Sequence, residues 1–148
     1  MHQSRIEKKF VFGKYCEDYL EKTLITNGFK EAYSPRLINS IYLDTLNYDF
    51  ARDNINGVGE RKKIRFRWYN DDLQNIFLEE KNKRNFTVKK IVQSINLAAN
   101  KNKIVETLKS YFFKIKKNYN DKNYKFVLKT SYNRTYWTFF KWTSNSCN

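Results

Sequence analysis

Residues 60–69 read ERKKIRFRWY, and their alternation governs how the rest of the chain is read. In an extended strand successive side chains point to opposite faces. Arg61, Lys63, Arg65 and Arg67 then share one face, while Ile64, Phe66 and Trp68 share the other. Same-face neighbours lie about 7 Å apart. Two like charges at that spacing repel by roughly 0.6 kcal/mol in water, and several-fold more at lower dielectric. Four in a row are unfavourable unless they face solvent or meet anions.

The flanking sequence repeats the design. In NIFLEEKNKR, residues 75–84, Glu79, Lys81 and Lys83 share a face opposite Leu78. In SRIEKKFVF, residues 4–12, Arg5, Glu7 and Lys9 alternate with Ile6, Phe10 and Phe12, which predicts a strand there too. Tyr132 and Arg134 alternate within a strand predicted over 125–137. Turns at Asn56–Gly59, at Asn70–Asp72 and near Arg84 and Asn85 separate these segments, with the strand after Asn85 ending near Val92. Pro35 marks a break before a strand over 37–44. Helical spacing covers 14–27, with Cys16, Tyr19, Leu20 and Leu24 on one stripe and Gly28 at its end. A short helix over 47–54 can be capped by Thr45. A third helix over 103–117 carries Ile104, Leu108, Tyr111, Phe112 and Ile115 on its apolar side. The pattern is an α+β fold, an antiparallel sheet with flanking helices and no internal repeat or linker.

An antiparallel sheet with one wet, charged side is common and is the plain reading of this pattern. Two features point further. Arginine dominates the alternate positions of 61–67, and its fork recognises phosphate oxygens in a bidentate way. Single carboxylates, Glu7 and Glu79, stand among the cations. Each can form a cross-strand ion pair, or can hold Mg²⁺ or Mn²⁺ against a phosphate chain.

Composition sets the bounds. The chain has 148 residues and a formal net charge of +14. That length suits one domain with a sizeable core. The charge indicates an anionic partner, whether phosphorylated metabolite, polyphosphate, nucleic acid or acidic membrane. Lysines beside Asn, Ile and Tyr also fit the codon bias of an A/T-rich genome, so their placement says more than their sum. A single histidine, His2, argues against a His-dependent triad. Cys16 and Cys147 lack metal-ligand spacing or a disulfide framework. With no secretory signal and no apolar run of bilayer length, the expectation is a soluble, cytoplasmic protein.

Five motifs in order resemble the VTC domain of polyphosphate polymerases, within the triphosphate-tunnel, CYTH-like superfamily. RIEKKF (5–10) is similar to the family's first-strand Arg-x-Glu-x-Lys-aromatic motif. SIYLDT (40–45), RKKIRFRWY (61–69), FLEEKNK (77–83) with VKK (88–90), and SYNRTYW (131–137) follow in family order. The resemblance covers residues 4–137 and leaves 138–148 as an unmatched tail. It implies antiparallel strands forming part of a tunnel lined with basic residues. It also implies a divalent metal, Mn²⁺ or Mg²⁺, and transfer of the γ-phosphate of ATP to a growing polyphosphate chain. By motif, Lys9, Arg65, Arg67, Lys81, Lys90 and Arg134 contact phosphates, with Lys89 competing with Lys90. Arg5, Arg61, Lys63 and Lys83 support them, and Glu7 and Glu79 are the metal candidates. The family's later Glu-x-Lys strand is not found in this sequence. The expectation is therefore an incomplete tunnel domain that binds phosphate chains and turns over ATP poorly. The alternatives are a non-catalytic polyphosphate or inositol-phosphate module, and a tripolyphosphate or nucleoside-triphosphate hydrolase. RNA binding is disfavoured, because the aromatics fall mainly on the face opposite the cations.

Overall fold

The computed structural model describes residues 8–97, 100–115, 119 and 123–139. The strands are β1 (Phe29–Thr45), β2 (Glu60–Tyr69), β3 (Ile76–Arg84), β4 (Thr87–Ile95) and β5 (Tyr124–Phe139). They form one antiparallel sheet in the order β4-β3-β2-β1-β5. The helices are α1 (Glu17–Thr26), α2 (Asp49–Ile55) and α3 (Ile104–Ile115). The α+β expectation holds. Among the described residues the sheet ends at β4 and β5 and is open.

The chain divides into two compact units. One is Arg36–Arg134; the other joins Met1–Pro35 and Thr135–Asn148. In the larger unit β2 follows its alternation closely. Ile64 and Phe66 are fully buried and Trp68 nearly so. They pack with Ile41, Leu43, Ile76 and Leu78 from neighbouring strands and with Ile104, Leu108 and Phe112 of α3. Phe66 stacks on Phe126 at 5.9 Å and meets Phe112 edge-on at 6.2 Å. Tyr111 and Ile115 pack at the margin of this cluster, so the apolar stripe of α3 falls where the spacing put it.

Local chemistry fixes the connections. Thr45 Oγ1 accepts from the Asp49 N–H at 3.0 Å, and the Asp44 carboxylate accepts from Phe50 and Ala51 N–H, each at 2.9 Å. These bonds satisfy the orphan donors at the start of α2. At the β2–β3 connection Asn70 adopts φ 53°, and Asp72 accepts from the N–H of Gln74 and Asn75. That turn holds residues 72–75, and β3 starts at Ile76.

In the smaller unit three expectations are corrected. Residues 8–12 of the strand expected over 4–12 alternate but are not a strand; alternation alone supplies no hydrogen-bonded ladder. The first half of that expected strand, including Arg5 and Glu7, lies outside the described residues. Pro35 does not interrupt the chain but sits inside β1; the pairing with β2 begins only at Ile38, so no β2 carbonyl needs a donor from Pro35. In α1 no residue is fully buried, and Tyr19 and Cys16 of the expected stripe are exposed. Gly28, at φ 82°, does close the end of α1, donating its N–H to the Ile25 carbonyl.

Candidate functional site

Directly opposed residues of an antiparallel pair share a face. The register sets Arg61 opposite Lys83, Lys63 opposite Lys81 and Arg65 opposite Glu79. It then sets Lys81 opposite Lys90 and Lys83 opposite Val88. Arg61, Lys63, Arg65, Arg67, Lys81, Lys83 and Lys90 therefore stand on one face, and among the described residues of β2, β3 and β4 the carboxylate that shares it is Glu79. The competition between Lys89 and Lys90 resolves here: Lys90 joins the cation face, and Lys89 pairs with Asn82 on the other.

Glu79 is the centre of this face, buried to 5% exposure. Arg65 grips its Oε2 with Nε at 2.7 Å and Nη2 at 2.6 Å. Lys90 Nζ donates to Oε1 at 2.8 Å, and Arg67 Nη1 stands 3.7 Å from Oε2. Burial alone pushes the Glu79 carboxyl up. Hydrogen bonds from Lys90 and Arg65, with the charges of Arg65 and Arg67, outweigh it and hold the group below its usual value. The ion-pair role read for Glu79 is thus realised. Burial likewise works against the Arg65 cation, and its bonds to Glu79 and Tyr42 more than offset that, raising its pKa.

β1 supplies partners that sequence reasoning missed. Tyr42 Oη accepts from Arg65 Nη1 at 2.9 Å, and Ser40 Oγ accepts from Arg67 Nε at 3.3 Å. The signal was available. Ser40 and Tyr42 alternate with apolar Ile41 and Leu43, which places them on the polar side of β1. These contacts hold the two guanidinium groups in fixed positions.

Next to this knot runs a row of three lysines, Lys63, Lys81 and Lys90, across three adjacent strands. Strands are about 4.8 Å apart. Like charges at that separation repel by roughly 0.9 kcal/mol in water and about 3.5 kcal/mol at an effective dielectric of 20. Glu79 binds one end of the row, at Lys90. Lys81, in the middle, is exposed.

Arg134 is exposed on β5, its guanidinium 5.6 Å from the Tyr132 ring centre. Lys9 is exposed and belongs to the smaller unit. As a metal ligand Glu79 fits poorly, because both of its oxygens already accept from cations and its surroundings are positive. Asp44, on β1, is committed to the start of α2.

No described helix is long and apolar enough to cross a membrane. Among protein families, the VTC domain matches residues 3–141. A search of curated proteins gives no match.

Proposed function

We propose, of a chain that belongs to the VTC domain family, that the cation face of β2, β3 and β4 holds a chain of phosphates as part of a polyphosphate-polymerase-type phosphotransferase domain. The observation that carries this reading is the row Lys63–Lys81–Lys90 beside the Arg65–Glu79–Arg67 knot. Cations set at strand spacing across three strands are a ready contact for a polyanion laid across them. Arg65 and Arg67, positioned by Glu79, Tyr42 and Ser40, would offer phosphate groups the N–H donors that these partners leave over. Arg61 and Lys83 extend the same face by one row. Lys9, Arg5 and Arg134 enter the reading through the family resemblance alone.

In the reaction, a terminal oxygen of the polyphosphate attacks the γ-phosphorus of ATP. The new P–O bond forms as the bond to the β-bridging oxygen breaks, and ADP leaves. Charge on the transferred group must be neutralised, and fixed cations do this without reorganising. Among the described residues of β2, β3 and β4 the carboxylate on this face, Glu79, is engaged by Arg65 and Lys90, so a divalent metal would need other ligands. The tunnel and a cytoplasmic setting belong to this proposal as well.

The test is ATP with Mn²⁺ or Mg²⁺, with acid-labile polymer and free phosphate measured separately. Polymer supports the transferase, and free phosphate alone supports a hydrolase on the same face. Polyphosphate binding with neither product supports a binding module. Arg65→Ala should lower whichever signal the intact chain gives; an unchanged signal removes the site.

A further inference from the structure

The core face of the sheet changes character toward the β3–β4 turn. Ile64 stands opposite Glu80 and Glu80 opposite Ile91. The next row is Lys62, Asn82 and Lys89, and the row after it Glu60, Arg84 and Thr87. By the period of two, these rows share the face of Ile64 and Phe66, opposite the cation face. Glu80 marks the change from apolar to polar. It takes Lys62 Nζ at 3.0 Å and accepts from Asn82 Nδ2 at 2.6 Å. Beyond it the two polar rows, with Phe50 and Asp53 of α2, line a cavity of ≈ 610 Å³. Small-molecule sites are of this size. Phe50 packs against the hydrophobic core, which sets α2 on this side of the sheet.

We propose that this cavity binds a phosphate ester of a sugar, free or within a nucleotide. The ligand class follows from how charge is laid out around the cavity. Asp53 of α2 and Glu60 of β2 bring carboxylates to one side. Lys89 stands on β4, about two strand spacings or roughly 10 Å from β2. Among the described residues neither Lys89 nor Asp53 has a side-chain ion pair or hydrogen bond. A bare phosphate chain would bring its charge against the two carboxylates, and a polyamine would meet the lysines. A sugar phosphate answers both ends. Its phosphate accepts from Lys89 and from the N–H donors that Lys62 and Asn82 keep beyond those given to Glu80. Its hydroxyls donate to Asp53 and Glu60. Half-buried Phe50 supplies an apolar wall for a sugar or base ring.

The inference stands on this cavity and not on the phosphate-chain reading of the opposite face. Ribose 5-phosphate, AMP, ribose and inorganic phosphate are titrated calorimetrically into the intact chain at one fixed ionic strength. Ribose 5-phosphate should bind at least about tenfold more tightly than inorganic phosphate or ribose. AMP binding more tightly still identifies a nucleotide, with its base against Phe50; AMP binding no more tightly identifies the free sugar phosphate. Lys89 is exposed, so Lys89→Ala leaves the core intact. It should weaken the ester at least about tenfold, the loss of a charged hydrogen bond. Asp53→Ala gives the sharper sign. It removes a negative charge, so on a merely basic surface every phosphate compound would bind it more tightly. Here the ester should bind at least about fivefold more weakly, and inorganic phosphate no more weakly. Lys81→Ala, on the opposite face, should change ester affinity by less than about twofold. An ester no tighter than inorganic phosphate, unaffected by Lys89→Ala, tightened by Asp53→Ala or weakened as much by Lys81→Ala overturns the proposal. Ester binding without polyphosphate binding would count against the proposed function alone.

Discussion

The two faces of β2 share one backbone and do opposite work. Ile64, Phe66 and Trp68 are sealed against α3 and the neighbouring strands. Arg61, Lys63, Arg65 and Arg67, interleaved with them, form a face on which the buried Glu79 carboxylate binds Arg65 and Arg67. The apolar face gains stability by leaving water, a contribution close to proportional to area. The cation face gathers seven cations of β2, β3 and β4 around Glu79. That concentration of positive charge is what an anion can use.

If the comparison is right, the largest stability effect belongs to the apolar face. Phe66→Ala should lower unfolding free energy by about 3–5 kcal/mol, read by chemical denaturation. A loss under about 1 kcal/mol would mean that the stacking of Phe66 with Phe126 and Phe112 contributes little. Glu79→Gln comes next, with a mixed signature. Removing the carboxylate leaves Arg65 and Arg67 facing each other without it, which should cost about 2 kcal/mol. That is below the roughly 3–5 kcal/mol of a fully buried pair, because Lys90 and Arg65 still reach water. The same change should tighten polyphosphate binding, since Glu79 competes with phosphate for the same cations. Weaker binding by Glu79→Gln would indicate that the carboxylate positions the cations more than it masks them.

Acid provides a finer cut. The folded-state pKa of Glu79 is depressed. Its contribution to stability is therefore complete above the unfolded value of about 4.3 and disappears as pH falls through the lower folded value. The intact chain should lose stability over that range, and Glu79→Gln should lose less. Identical acid slopes for the two would contradict the assignment. The smallest effect is expected at Lys101, whose ion pair with Asp71 is exposed on both sides. Lys101→Ala should change stability by less than about 0.5 kcal/mol and leave phosphate binding intact. A larger change in either would place an important contact outside both faces of β2.

Much of this arrangement could be read in the sequence because alternation speaks directly about faces. ERKKIRFRWY became β2 at its expected bounds, and the stripe of α3 lies against it. The cation set of β2, β3 and β4 was legible for the same reason. What period two cannot convey is pairing. It did not show that residues 8–12 go without a ladder, or that Pro35 lies beyond the β2 register. Nor could it show that Glu79 is shared by Arg65, Arg67 and Lys90, because that depends on which strand is the neighbour and in what register. Ser40 and Tyr42 were quoted in the SIYLDT motif, yet their roles emerge only when Tyr42 faces Arg65 and Ser40 faces Arg67.

The central claim is that position on the cation face, and not net charge, makes this chain bind phosphate chains. The direct test compares two double variants that each remove two positive charges: Lys63→Ala with Lys81→Ala on the face, and Lys101→Ala with Lys103→Ala before α3. Polyphosphate affinity is measured for both at one fixed ionic strength. The face pair should lose at least tenfold in affinity, about 1.4 kcal/mol, while the remote pair loses less than about twofold, under roughly 0.4 kcal/mol. Equal losses in the two variants would contradict the claim and reduce the cation face to a share of the overall charge.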